Sequence, residues 1–498
     1  MFRKNLLANY VGHFWVALMG LAFVPLYIRY LGMEAYGLIG FFVALQAWMN
    51  VLDFGMGPTL NRELARRMHD PLQKQSSLNL LRSIEFVSFG AATLATTLLI
   101  LSANYLADHW FQGDLLSADA IYFSVVVMGS VIAIRLIEGV YRNALLGLQQ
   151  HWSYNLQRIA YATLTPLGAV LVLEYWGAKI EYFFVWQLVA ISVSVLVMRH
   201  LAYSRLTLDN LRPRFELAEI KIVFRFASGM FGITLITLML TQLDKLVLSR
   251  LLSLEAFGYY ALAASLSAAL VSLVSPVEQA IFPRLSSLYG QSQMEDLAAT
   301  YHKGTQLVSV VLGSFAIALV FFADEILLLW TQDKLVALNT AEILQVLAIG
   351  TLLNGLMWIP YKLQLASGWT SLAFRMNIAM VLLFVPLMLY IVPIYGGVGA
   401  AYVWCLLNLG YVMVTIPIMH RRLLSNHMMA WYVQDVSLPL LVIGGVCSLF
   451  RLLVGFPQHI ISGLLFLVLL VSLSMSLGLL SSSHLRVEVF NRIQKKVK

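Results

Sequence analysis

Apolar residues run in long stretches along this 498-residue chain, and short connecting segments hold most of the charge. A helix needs about 20 apolar residues to cross a hydrocarbon core of about 30 Å. Runs of that size fall near 6–28, 36–60, 83–105, 120–143, 154–176, 180–200, 224–248, 256–281, 304–323, 340–361, 374–393, 397–419, 433–453 and 460–480. The pattern predicts an all-α polytopic membrane protein with about 14 transmembrane helices. The first run is too long for a signal-peptide core and lacks a small-residue cleavage site, so it reads as a span. Composition strengthens the reading: 60% of residues are hydrophobic and only 12% charged, about half the charge of a soluble domain.

Charge then orients the spans. Of the 33 basic residues, 26 fall in the two tails and in every second connection. Five (Arg29, Lys179, Arg250, Lys334, Arg451) fall in the opposite set, and Arg135 and Lys245 lie within spans. Cytoplasmic loops carry the excess of Lys and Arg, so both termini are expected in the cytoplasm. The net charge of +8 therefore marks topology, not a basic patch for nucleic acid. Cys405 and Cys447 sit inside apolar runs, which implies neither a disulfide framework nor a metal site. The outer loops are short, and no paired catalytic carboxylates, metal-ligand spacing or ATP-binding motif is present. These observations argue against an enzyme, and no cofactor is expected.

An internal repeat adds order. Arg29-Tyr-Leu-Gly-Met-Glu34-Ala-Tyr-Gly37 and Arg250-Leu-Leu-Ser-Leu-Glu255-Ala-Phe-Gly258 share R-x-L-x-x-E-A-aromatic-G at an offset of 221 residues, 29 to 250. The repeat predicts two parallel six-helix bundles, 1–202 and 222–425, with two appended helices and a basic tail over 426–498. Parallel halves of this kind are common in transporters. Segment 203–221 is expected to be a cytoplasmic linker, its mixed apolar and basic character suiting an amphipathic helix bent at Pro213.

The stretch VPLYIRYLGMEAYGLIGFFVALQAWMNVLDFGMGPTLNRELAR contains Pro25, Arg29, Leu31, Gly32, Glu34, Tyr36 and Gly37, then Asp53, Gly55 and Arg62. It resembles the opening of Wzx-type polysaccharide and O-antigen flippases. IYGGVGAAYVW (394–404) is similar to a later segment of the same MATE-like superfamily, which also holds multidrug exporters and lipid II flippases. The resemblance implies a V-shaped pair of bundles in the bacterial inner membrane. It implies transfer of an undecaprenyl-pyrophosphate-linked oligosaccharide from the cytoplasmic to the outer leaflet, driven by a coupling ion (H⁺ or Na⁺). A polysaccharide polymerase and a chain-length regulator are the protein partners expected alongside membrane lipids. The alternatives are a MATE-type small-molecule antiporter and a polysaccharide polymerase or ligase.

Charges within spans are costly and usually face a bundle interior or polar path. Arg135, Glu138 and Arg142 share one helical face, and Arg offers forked donors that match phosphate oxygens. They are a candidate docking face, with Arg158 nearby; the structural alternative is an Arg135–Glu138 pair. Asn50 and Asp53 share a polar face, where Asp53 is a candidate for ion coupling, for capping, or for pairing with Arg62 or Arg66. Glu138 and Glu278 are further coupling candidates. Asn9 and His13 of the first span, and Thr241 and Lys245 of the seventh, form polar stripes that would accept sugar hydroxyls or pack helices. Arg29, Glu34, Arg250 and Glu255 mark the repeated turns as gate or structural residues, each Arg being expected to pair with the Glu that follows it.

Overall fold

A computed structural model describes residues 12, 15–68, 70–206, 211–457 and 459–487. Asn9 and His13 lie outside the described residues, as does the side chain of Asn50. The described chain is helical almost throughout, and no strand occurs among these residues. The helices are α1 (Val24–Met49), α2 (Met56–Arg67), α3 (Lys74–Tyr105), α4 (Ala118–Gly147), α5 (His151–Tyr175), α6 (Ile180–Leu206), α7 (Leu217–Leu251) and α8 (Leu254–Gly290). They continue with α9 (Met294–Phe321), α10 (Ala323–Thr331), α11 (Lys334–Leu356), α12 (Trp358–Ala366), α13 (Thr370–Gly410) and α14 (Ile416–Leu423). A π-helical stretch, Trp431–Ser437, then runs into α15 (Leu438–Leu453), and α16 spans Ile460–Ser481.

Eleven helical runs among the described residues are long and apolar enough to cross a membrane. Two carry a break at glycine. α1 breaks at Gly32 (φ 81°) and α13 at Gly396 (φ 58°), backbone angles that residues with a Cβ adopt at a cost. Thr370–Leu423 covers 54 residues, about 80 Å of helix at ~1.5 Å per residue. That length exceeds two hydrocarbon thicknesses. Large apolar side chains such as Leu382, Tyr390, Leu441 and Ile461 are exposed, as expected where lipid rather than water surrounds the helices.

The chain divides into two compact units, Met1–Gly258 and Tyr259–Lys498. In the first, Leu60 and Leu64 of α2, Leu78 and Leu81 of α3, Val140 and Ala144 of α4, and Ala202 of α6 form the core. α7 packs on α1, α2 and α3 within this unit. In the second, Tyr301 and Leu312 of α9, Leu356 of α11, Ile359 of α12, Met419 of α14 and Trp431 are buried together.

The segment before α7 corrects one expectation. Residues 211–216 are not helical. Pro213 lacks an N–H and biases Arg212 towards extended backbone. Side chains of α3 satisfy the backbone instead: Gln75 Nε2 donates to Arg212 O (2.7 Å), Arg214 N to Asn79 Oδ1 (3.0 Å) and Glu216 N to Ser83 Oγ (2.8 Å). An ion pair of 2.9 Å from Arg67 to Glu219 then ties α2 to the start of α7.

Candidate functional site

α4 organises the site. Ser117 caps its N-terminus by accepting from Ala120 N at 3.2 Å, and Asp119 sits in the first turn, where an acid complements the helix dipole. The C-terminal half presents Arg135, Glu138 and Arg142. α5 faces them with Tyr154, Gln157, Arg158, Tyr161 and Thr165, a spacing of three and four that keeps these side chains on one face. With Gln187 of α6 and Tyr27 of α1 they line a cavity of about 360 Å³ inside the first unit. Met19, Pro166 and Met198 supply apolar wall.

The cavity is cationic. Three guanidinium groups face one carboxylate among its lining residues. Arg135 Nη2 donates to Tyr161 Oη at 2.9 Å, and its guanidinium lies 5.5 Å from the centre of the same ring. Glu138 stands 3.9 Å from Arg135 Nη1, at the outer limit of an ion pair. The Arg135 Nε is buried without a hydrogen-bond partner, a costly state for a charged donor. Arg135 is thus held in place by a tyrosine while retaining capacity for an anion. The walls are fixed by Trp15 Nε1 donating to Thr163 Oγ1 (2.8 Å) and Gln157 Nε2 donating to Ser194 Oγ (2.5 Å).

Other predicted residues are placed differently. Asp53 accepts from Gly57 N through both carboxylate oxygens, at 3.1 and 3.0 Å, and so caps α2. Phe54 and Gly55, at φ 48° and 76°, turn the chain between the two. Arg62 and Arg66 pair with Glu63 instead, at 2.8 and 3.6 Å, so they are not the partners of Asp53. Arg142 nevertheless acts electrostatically on Asp53. Lys245 pairs with Asp244 at 3.6 Å and donates to Thr241 O at 3.2 Å, while Thr241 Oγ1 donates to Thr237 O at 2.9 Å. Neither Thr241 nor Lys245 lines the arginine cavity. In the second unit Glu278 forms an ion pair with Lys362, whose ammonium lies 5.4 Å from the centre of the Phe282 ring.

The repeated turns meet each other. Arg29 is exposed and does not pair with Glu34, which is 5% exposed and accepts from Leu115 N and Leu116 N at 2.8 and 3.0 Å. A buried carboxylate bonded by two amides is already satisfied, which is why the expected Arg–Glu pair is not made. Arg250 also turns elsewhere: its Nη1 donates to Trp110 O at 3.5 Å and it stacks 5.9 Å from the Trp110 ring centre. Glu255 is exposed in the first turn of α8. A Cβ on Gly37 would collide with Leu254 O, and one on Gly258 would meet Met33 O at 2.5 Å. Because 33 and 254, and 37 and 258, are separated by the repeat offset, the contact is reciprocal.

Tyr154, Gln157, Tyr161, Thr165 and Gln187 were not singled out from sequence. The signal was the polar stripe at three–four spacing along α5, which charge counting passes over.

The family model of polysaccharide biosynthesis proteins matches residues 2–289, and the MatE model matches 215–390. A curated relative described as an O-antigen transporter, from Shigella flexneri, is 21% identical over 404 residues, covering 80% of this chain and 93% of the relative. Among solved structures, the lipid II flippase MurJ in an inward closed conformation aligns with TM-score 0.68 at 13% identity, over 95% of this chain and 98% of MurJ. An inward-facing multidrug resistance transporter of the MATE family aligns with TM-score 0.68 at 15% identity, over 84% and 95%. Identities this low establish a shared fold. With more than half of its length matched by the family model, this multi-pass membrane chain belongs to the polysaccharide biosynthesis protein family.

Proposed function

We propose that the chain is a flippase that carries an undecaprenyl-pyrophosphate-linked oligosaccharide from the cytoplasmic to the outer leaflet of the bacterial inner membrane by alternating access. The observation that carries this reading is the cavity in which Arg135, Arg142 and Arg158 outnumber Glu138. A pyrophosphate is a concentrated anion that guanidinium forks bind through paired hydrogen bonds. Tyr161 orients Arg135, and the Tyr, Gln and Thr side chains of α5 and α6 offer donors and acceptors to sugar hydroxyls. The polyprenyl tail stays in lipid, so only the head group needs this polar enclosure. That the curated relative is described as an O-antigen transporter supports the same substrate class.

The finer architecture belongs to the same proposal. Fourteen spans, both termini in the cytoplasm, and bundles at 1–202 and 222–425 with a linker at 203–221 and an appended pair at 426–498 account for the distribution of basic residues. The glycine breaks at Gly32 and Gly396 fall where this scheme expects turns. Ion coupling is assigned to Asp53, Glu138 and Glu278. A proton or Na⁺ at Asp53 would change the field at Arg142 and so its hold on the anion. Asn9, His13, Asn50, Thr241 and Lys245 would serve the glycan elsewhere on its path. A polymerase and a chain-length regulator are the proposed downstream partners.

The test is glycan export in cells at matched protein levels, with Arg135→Ala and Arg142→Ala. A charge-assisted hydrogen bond contributes about 1.5–3 kcal/mol, so each substitution should weaken head-group binding by about tenfold or more. Export at the parental rate by both variants would remove the docking role. The second reading, a MATE-type small-molecule antiporter, draws on the fold shared with the multidrug transporter. Its cationic substrates would be repelled by this cavity, and efflux of an organic cation by the purified protein in vesicles would favour it.

A further inference from the structure

A second cluster of titratable groups lies in the other unit, where α9 meets the last two helical runs. His302 of α9 is 4% exposed, and its Nδ1 is bonded to a carboxylate oxygen of Asp435, which is 1% exposed within the π-helical stretch. Gln306, one turn on, donates to the other Asp435 oxygen at 2.8 Å and to Ser483 Oγ at 3.1 Å. Its carbonyl oxygen accepts from His484 N at 3.0 Å. His302 Nε2 meets His427 Nδ1 at 2.9 Å, and the His484 ring stacks on His302 with centroids 5.6 Å apart at 2°. Exposure rises outward from the buried carboxylate: His427 is half-buried and His484 exposed. Beside them stand Tyr301, whose hydroxyl is 3.4 Å from His420 Nε2, and Tyr432, whose hydroxyl donates to Val412 O at 2.8 Å. His420 Nδ1 is bonded to Ile416 O at 3.0 Å.

The geometry points to a proton-binding site, made by His302, His427, His484 and Asp435, that clasps the 424–437 segment and the segment 482–487 after α16 onto α9 and opens when it takes a second proton. The deciding contact is His302 Nε2 to His427 Nδ1. At 2.9 Å it is a hydrogen bond with room for one hydrogen. A neutral His302 donates from Nδ1 to Asp435 and accepts at Nε2 from His427. A charged His302 donates from both nitrogens, to Asp435 and to the Nδ1 of a neutral His427. Either state satisfies every partner. When both imidazoles are charged, both facing nitrogens carry hydrogen and the contact becomes a repulsion between donors and between like charges. The stacked His484, if charged, adds a further positive group above the same ring.

Titration runs the same way. Burial, and then the charge of His302, lower the affinity of His427 and of His484 for protons, with Asp435 partly offsetting the effect. A histidine whose pKa is depressed in the folded state leaves stability intact above its unfolded value of about 6.5. Stability is lost as pH falls below that value, because the opened form binds more protons.

The experiment uses the full-length protein in lipid nanodiscs. Hydrogen exchange at 424–437 and 482–487, corrected for its intrinsic pH dependence, and the melting temperature are followed from about pH 7.5 to about pH 5.5, the range in which histidine titrates. The expected result is faster exchange confined to these two segments and a melting temperature lower by a few degrees in acid. His427→Gln, at a half-buried position in a connection, should fold and abolish the acid effect on both segments. Asp435→Asn, if it folds, should open the segments already at neutral pH. Equal exchange at both pH values in the parent, or an undiminished acid response in His427→Gln, overturns the proposal.

Discussion

Adding one methyl group at Gly258 tests the reciprocal contact between the repeated turns. In Gly258→Ala the new Cβ would lie 2.5 Å from Met33 O, with the Met33 Sδ and Cγ at 3.0 and 3.1 Å. The Met33 thioether can swing away, but its carbonyl is backbone. Ordinary contact begins near 3.4 Å, so the two segments must separate by about 0.9 Å, the difference between 3.4 and 2.5 Å. Overpacking of this kind costs about 1–3 kcal/mol. Replacing glycine by alanine within a helix returns about 0.5–1 kcal/mol, leaving a net loss of up to about 2.5 kcal/mol. Gly90→Ala is the control: nothing lies within 4 Å of its added Cβ, so only the favourable helix term remains. Thermal unfolding of the purified protein should place Gly258→Ala a few degrees below the parent and Gly90→Ala at or above it. If Gly258→Ala melts with Gly90→Ala, the close approach does not constrain the fold and the argument fails.

Asp53→Ala removes the cap on α2 and should cost about 1 kcal/mol, whereas Asp53→Asn keeps an acceptor for Gly57 N. If Asp53 also couples transport to protons, Asp53→Asn weakens the pH-gradient dependence of flipping in vesicles without that stability loss; an unaltered dependence assigns Asp53 to capping alone. Glu278→Gln and Lys362→Met should each destabilise more than the double variant, since leaving one charge of this half-buried pair without its partner costs more than removing both. Additive losses in unfolding measurements would show that the pair is not coupled. Tyr161→Phe keeps the ring beside Arg135 but deletes the 2.9 Å hydrogen bond. It should lower pyrophosphate binding several-fold, read by calorimetry, and unchanged affinity would mean that Tyr161 does not orient the arginine.

Much of this architecture could be read from periodicity because lipid imposes a simple rule: helices of a set length with charges at their ends. The same rule exposed Arg135, Glu138 and Arg142, since charges inside apolar runs stand out. Their neighbours on α5 were hidden because Tyr, Gln and Thr do not interrupt an apolar run. The partner of Asp53 could not be read, because capping depends on the left-handed turn at Phe54 and Gly55 that brings the carboxylate to Gly57 N. The Arg29–Glu34 pairing expected at the first repeated turn failed for a tertiary reason: Glu34 is engaged by amides 81 and 82 residues away. His302 and Asp435, 133 residues apart, likewise meet only in the folded chain.

The reciprocal fit of Gly37 on Leu254 and Gly258 on Met33 also bears on how such a chain arises. A self-complementary surface is what a two-fold dimer uses, each subunit offering the same patch to the other. A half-length ancestor carrying one copy of the turn would form both contacts by pairing with itself, through one glycine and one carbonyl. Fusion of two copies then converts a symmetry constraint into a pair of sites free to diverge. Arg29 and Arg250 differ in their surroundings: one is exposed, and the other is bound to Trp110. The glycines do not, because each still faces a backbone that cannot retreat.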